Sequence, residues 1–122
     1  MKTVQTDKAP KALGPYSQAI VEGNFCFVSM QLPINPENGQ IDSDIKNQTR
    51  QVIENVKNIL KQADFELENV VKATLYITDL NDFAAINEIY AEYFTHKPAR
   101  SLVVQAAMPK GAKVALDVIA YK

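Results

Sequence analysis

The chain has no tryptophan, one cysteine (Cys26) and one histidine (His96) among its 122 residues. One cysteine forbids an intramolecular disulfide, which excludes the small secreted scaffolds that depend on them. One histidine leaves no histidine-based metal cluster. GxGxxG, P-loop, GxSxG and CxxC patterns are all missing, so no cofactor is expected. Neither sign of charge dominates: 13 Lys and Arg face 14 Asp and Glu, for a net charge of −1 and a pI near 5.8. That balance argues against the phosphate attraction on which nucleic-acid binders depend, and no nucleic-acid partner is expected. No apolar run approaches the roughly 20 residues that span a bilayer. The opening MKTVQTDKAPKALGPYSQ places charges and prolines where a signal peptide needs an apolar stretch. These absences lead to an expectation of a soluble cytoplasmic protein with no membrane partner.

What is present suits one globular domain over residues 1–122. The composition is 47% hydrophobic and 22% charged, which is ordinary for a packed chain. Two strand-like pieces, Ser17–Val21 and Phe25–Ser29, flank Glu22-Gly23-Asn24, a hairpin signal. The segment Leu32–Gln40, with two prolines and Asn38-Gly39, breaks regular structure. From Asp42 to Ala63 apolar residues recur at steps of three and four, which predicts a helix capped by Asp42, Ser43 or Asp44. Val70–Thr78 alternates as a strand does. A second helix is expected over Asp82–Phe94, with Phe83, Ile86, Tyr90 and Tyr93 or Phe94 inward, and Pro98 forbids its continuation. Arg100–Ala106 and Ala112–Tyr121 read as strands around Met108-Pro109-Lys110-Gly111, and Lys2–Gln5 as a further short one. The order β-β-α-β-α-β-β gives an α+β two-layer sandwich, with both helices on one face of the sheet.

The final strand carries apolar residues on both faces: Val114, Leu116, Val118 and Ala120 on one, Ala115, Ile119 and Tyr121 on the other. Helices cover only one side, so the second is expected to pack against other copies of the chain. A sheet curled over itself is the alternative.

Asp117 is the lone carboxylate in the run KVALDVIAY. An unpaired buried charge is costly, so it either has a partner at the surface or lines a pocket, holding water or moving a proton. Arg100 follows Lys97-Pro98-Ala99 and opens a strand. Its guanidinium suits bidentate capture of a carboxylate, although spacing alone favours an ordinary surface arginine. Lys97 and Lys110 read as solvated charges. His96 lies near a helix C-terminus, where the dipole favours it, and Cys26, between two phenylalanines, reads as a packing residue.

Several segments carry a resemblance. Gly14-Pro15-Tyr16-Ser17-Gln18-Ala19, Val28-Ser29-Met30-Gln31-Leu32-Pro33, the Asn35–Gly39 turn, Ile86-Asn87-Glu88-Ile89-Tyr90 and Pro98-Ala99-Arg100-Ser101 resemble, in order, the motifs of the RidA/YjgF family, also called L-PSP endoribonucleases. The last is the most specific, and the likeness spans nearly the whole chain. It implies a chorismate-mutase-like fold with a mostly antiparallel, mixed six-stranded sheet, assembled as a homotrimer with clefts between subunits. It also implies hydrolysis of 2-enamino and 2-imino acids, such as 2-aminoacrylate, to 2-oxo acids and ammonia. By position Arg100 matches the family's carboxylate-binding arginine and Asp117 its catalytic carboxylate. Tyr16, Ser29 and Asn87 match residues that line or shape the cleft, and the Leu102 amide matches a second contact to substrate.

Three positions depart from the family pattern. Met30 stands where glycine is usual, which makes the wall bulkier. Asp117 replaces glutamate and is one methylene shorter. Leu102 replaces a cysteine, which matters little if the backbone N–H contributes. A non-catalytic protein that binds 2-oxo acids or other small carboxylates is therefore a rival expectation. An RNA-cleaving enzyme is a further one, against which stand the acidic pI and the lack of a histidine pair.

Overall fold

The computed structural model describes residues Met1–Lys122. Eight main elements follow in the order β1 (Lys2–Val4), β2 (Ala19–Glu22), β3 (Phe25–Gln31), α1 (Ile45–Gln62), β4 (Val70–Ile77), α2 (Phe83–Tyr93), β5 (Ala99–Val104) and β6 (Val114–Tyr121). Single turns of 3₁₀ helix at Leu67–Asn69, Leu80–Asp82 and Pro109–Gly111 connect them. The six strands form one sheet in the order β1-β2-β3-β6-β4-β5. Every pair is antiparallel except β4 and β5, which α2 joins as a crossover. The expected α+β sheet of mixed direction is thus the observed one.

The hairpin between β2 and β3 turns on Gly23 and Asn24, with Gly23 at φ +57°. That left-handed backbone is free of steric cost only for glycine. Asp44 caps α1, its carboxylate accepting from the Asn47 N–H at 3.0 Å. The helix presents Val52, Ile53, Val56, Ile59 and Leu60 to the sheet, each no more than 1% exposed. α2 adds Ile86, Ile89 and Tyr90. Against them lie Ala73, Leu75 and Ile77 of β4 and Val114, Leu116, Val118 and Ala120 of β6. Truncating one such side chain to alanine costs about 2–5 kcal/mol.

Several boundaries differ from the sequence expectation, four of them with consequences for packing or pairing. β2 begins at Ala19 rather than Ser17. β3 runs on to Gln31, because an irregularity between Val28 and Gln31 shifts its register on β6 and lets pairing continue. α1 starts after Asp44, since Asp42 instead accepts from the Asp44 N–H. β5 ends at Val104, short of Ala106.

The sheet's other face has no helix on it. Phe25, Phe27 and Tyr121 form an exposed aromatic group there, with Phe25 4.9 Å from Tyr121 and 5.8 Å from Phe27 between ring centroids. The sheet does not curl over this group: its three rings remain 41%, 44% and 47% exposed. A polar stripe crosses the same face further along, where Asp117 of β6, Thr74 of β4 and Ser101 of β5 stand in register.

Candidate functional site

Arg100 is the second residue of β5, the edge strand. It pairs with Ala73, a core residue, so its side chain leaves the sheet on the helix side. There Nη1 donates to Asn87 Oδ1 of α2 at 2.7 Å. The guanidinium carbon lies 4.7 Å from the Tyr90 ring centroid and 5.5 Å from that of Phe83. Asn87 and Tyr90 share a helical face because three residues separate them, and Phe83 lies one turn before Asn87. The group is therefore an arginine held by one amide and two aromatic rings, with most of its N–H donors uncommitted. Tyr90 is buried and its hydroxyl has no partner. Burial raises that phenol's pKa, and the Arg100 charge partly offsets the rise. A broad hollow of about 860 Å³ opens beside Arg100, Asn87 and Tyr90, with Glu88, Thr95 and Lys97 at its sides.

The neighbouring backbone adds a donor. The Gln105 N–H bonds to the Ile77 carbonyl at 2.8 Å. Alternation along a parallel pair then turns the N–H groups of Leu102 and Val104 away from β4, off the free edge of the sheet. Leu102's side chain meanwhile packs against the core.

Tyr16, Ser29 and Met30 come together elsewhere, lining a cavity of about 500 Å³ near the end of β3. Ser29 donates through Oγ to the Ser17 carbonyl at 2.6 Å, fastening the segment that carries Tyr16. This cavity and the Arg100 hollow share no lining residue. Two strands, β6 and β4, lie between Ser29 on β3 and Arg100 on β5, a separation of about 14 Å at ordinary strand spacing.

Asp117 stands on the open face, half-buried, and its Oδ2 accepts from the Tyr76 hydroxyl at 2.6 Å. That bond, with burial added, pushes the Tyr76 phenol up to about 12. Nearby, the Lys72 ammonium donates to Ser101 Oγ at 2.6 Å. One chain accordingly joins Arg100 to Asn87, and Tyr16 to Ser29 and Met30. It does not join Arg100 to Asp117, which leave the sheet on opposite faces.

Sequence reasoning passed over Tyr76 as Asp117's partner, and Phe83 and Tyr90 as the rings around Arg100. His96 bonds through Nε2 to the Val70 carbonyl at 2.9 Å, a tie to β4 rather than to a helix end. Cys26 is fully buried, and burial raises its thiol to about 11. No group of three or more His, Cys, Asp or Glu side chains is placed to hold a metal ion. No helix is long and apolar enough to cross a membrane.

A small α+β domain with an arginine pocket on its edge strand and a separate cavity near the end of β3 is the class that fold and site define. Residues 6–122 match the family model described as Endoribonuclease L-PSP. A RutC family protein of Pyrococcus abyssi is 54% identical over 99% of this chain and 97% of its own length. The 2-iminobutanoate/2-iminopropanoate deaminase of Escherichia coli K12 is 41% identical over 99% of this chain and 98% of its own. Among solved structures, E. coli TdcF with bound serine superposes with a TM-score of 0.97 at 40% identity, covering 100% of this chain and 99% of that one. The chain belongs to the L-PSP endoribonuclease family, the RidA/YjgF family of the sequence resemblance.

Proposed function

We propose that the chain hydrolyses 2-imino acids, the tautomers of reactive enamines such as 2-aminoacrylate, to 2-oxo acids and ammonia. The observation that carries this is Arg100: a guanidinium fixed by Asn87, backed by two rings, with free donors beside the outward N–H of Leu102. That set suits a small carboxylate. The E. coli relative named as a deaminase of such compounds supports the same substrate class, as does TdcF, which was crystallised with serine, another small carboxylate.

The arrangement supports a site shared between copies. A small imino acid is far too short to bridge the roughly 14 Å between Arg100 and Ser29 within one chain. The exposed aromatic face needs covering, and three copies packed face inward in a homotrimer would supply that cover. Arg100 of one copy then faces the Tyr16–Ser29–Met30 cavity of the next, and Asp117 reaches the substrate from the open sheet face, outside the cavity's own lining. No cofactor takes part.

In the reaction, Arg100 and the Leu102 amide hold the carboxylate. Asp117, one oxygen occupied by Tyr76, uses the other to orient water toward the imine carbon. Water adds to the C=N bond, its proton passing to nitrogen. The carbinolamine's hydroxyl proton then passes to nitrogen through Asp117, and ammonia leaves as the C–N bond breaks and the C=O forms. Free imines hydrolyse unaided, so orientation and one proton relay suffice.

The test couples the purified chain to a threonine or serine dehydratase and follows imine decay. Faster release of the 2-oxo acid, lost in Arg100→Ala with the assembly intact, supports the reading; full activity in Arg100→Ala overturns it. A second reading, binding of 2-oxo acids without hydrolysis, is favoured by the Tyr76 bond, which already engages one Asp117 oxygen. Saturable oxo-acid binding with no acceleration of imine decay would establish it.

A further inference from the structure

The Tyr16–Ser29–Met30 cavity has largely apolar walls supplied by Pro10, Leu13, Met30, Leu32, Ile34 and Pro109, with Lys11 and Lys110 also lining it and no carboxylate among its lining residues. Apart from Met30 at the end of β3, those walls come from three irregular segments: the arm before β2, the loop after β3 and the turn before β6. Such segments hold a shape only if something fixes their backbone.

Each is fastened by a buried carboxamide. Gln18, 3% exposed, accepts from the Thr6 N–H at 2.7 Å and donates to the carbonyls of Thr6 and Pro10 at 3.1 and 2.8 Å. That ties down the arm carrying Pro10 and Leu13. Asn55 of α1 is wholly buried and donates to the carbonyls of Leu32 and Ile34 at 3.1 and 2.9 Å. Gln51 Nε2 in turn donates to Asn55 Oδ1 at 2.9 Å, which sets the amide's orientation. Gln48, 2% exposed, accepts from the Lys113 N–H at 3.0 Å and donates to the Asp42 carbonyl at 2.8 Å. Lys113 closes the turn that holds Pro109 and Lys110, where Lys110 sits at φ +59° and Gly111 at φ +70°. A non-glycine residue in that region persists only where its surroundings enforce it.

A buried amide satisfied on every side is expensive to replace, because removing it strands backbone carbonyls away from water. Two of them stand on α1 and one in the arm before β2, and all three converge on the walls of one cavity. We infer that Asn55, Gln18 and Gln48 are positioning residues that set the dimensions of this cavity. Through it they set the length of apolar side chain the substrate carries. The inference rests on the deaminase reading and deepens it: the cavity holds the substrate's side chain while Arg100 holds its carboxylate. Apolar walls of this extent favour an imino acid with a branched, four-carbon side chain over the smallest one.

The experiment generates imines in place from leucine or alanine with an amino-acid oxidase, and measures KM and kcat for the wild type, Asn55→Ser and Gln18→Met. The expected result is a rise of about tenfold in KM for the leucine-derived imine, with kcat held within about twofold. For the alanine-derived imine, both constants stay within about twofold. Gln18→Met works on a different wall through a different segment, and carries the test alone should Asn55→Ser fail to fold. Equal losses on both substrates, or a fall in kcat without a change in KM, overturn the inference and leave the deaminase reading standing. A wild-type chain inert on both imines overturns both.

Discussion

Arg100 Nη1 donates to Asn87 Oδ1 at 2.7 Å, and this bond joins the edge strand β5 to the outer helix α2 at the one point where a guanidinium also lies over two aromatic rings. A charge-assisted bond of this kind is worth about 1.5–3 kcal/mol. It fixes where the fork points before any substrate arrives.

Asn87→Leu removes the acceptor and keeps the bulk. Substrate binding is expected to weaken about tenfold, seen as a higher KM, with the melting temperature lowered by several degrees but the fold retained. An unaltered KM would show that the rings alone orient Arg100.

Tyr76 and Asp117 give a pH signature. The Tyr76 phenol rises from its ordinary 10 to about 12 in the folded chain, chiefly because its proton is held by the Asp117 carboxylate. A raised folded value favours the protonated form, so the bond's contribution is full below pH 10 and fades as pH climbs through 12. Tyr93 titrates in the same range. Tyr76→Phe is therefore compared with wild type by ultraviolet titration, and the difference spectrum is expected to show one phenol ionising near 12. A difference centred on 10 would remove Asp117 as its partner.

Cys26 is fully buried on β3, and burial lifts its thiol to about 11. Thiol reagents at pH 8 are expected to leave the native chain unmodified and to label it fully once denatured. Rapid labelling of the native chain would contradict the packing of β3 against β6.

The alternation of Val114 to Tyr121 and the three- and four-residue steps of α1 made the two-layer arrangement legible, because burial on one face writes itself into period. The motif positions pointed to Arg100, Asn87, Tyr16 and Ser29. What stayed hidden was register. Arg100 leaves by the helix face because it stands opposite Ala73, and Asp117 by the open face because it stands opposite Thr74. No local pattern in either strand states which residue of β4 it meets. The extension of β3 to Gln31 was hidden for the same reason, since an irregular register has no periodic trace. Gln48 and Asn55 left a weak signal: two amides seven residues apart on the apolar side of α1, where solvent-facing polar residues do not belong.

In the proposed enzyme the Arg100 group of one copy and the Met30 cavity of another make one working site. Coexpressing Arg100→Ala chains with Met30→Trp chains, each inactive alone, tests this most directly. In a symmetric ring of mixed chains, about a quarter of the sites draw an intact arginine from one copy and an intact cavity from its neighbour. The expected result is imine hydrolysis restored to roughly that fraction of wild type. Mixed assemblies as inactive as their parents would show that both halves must come from the same chain, and would rule out a site shared between copies.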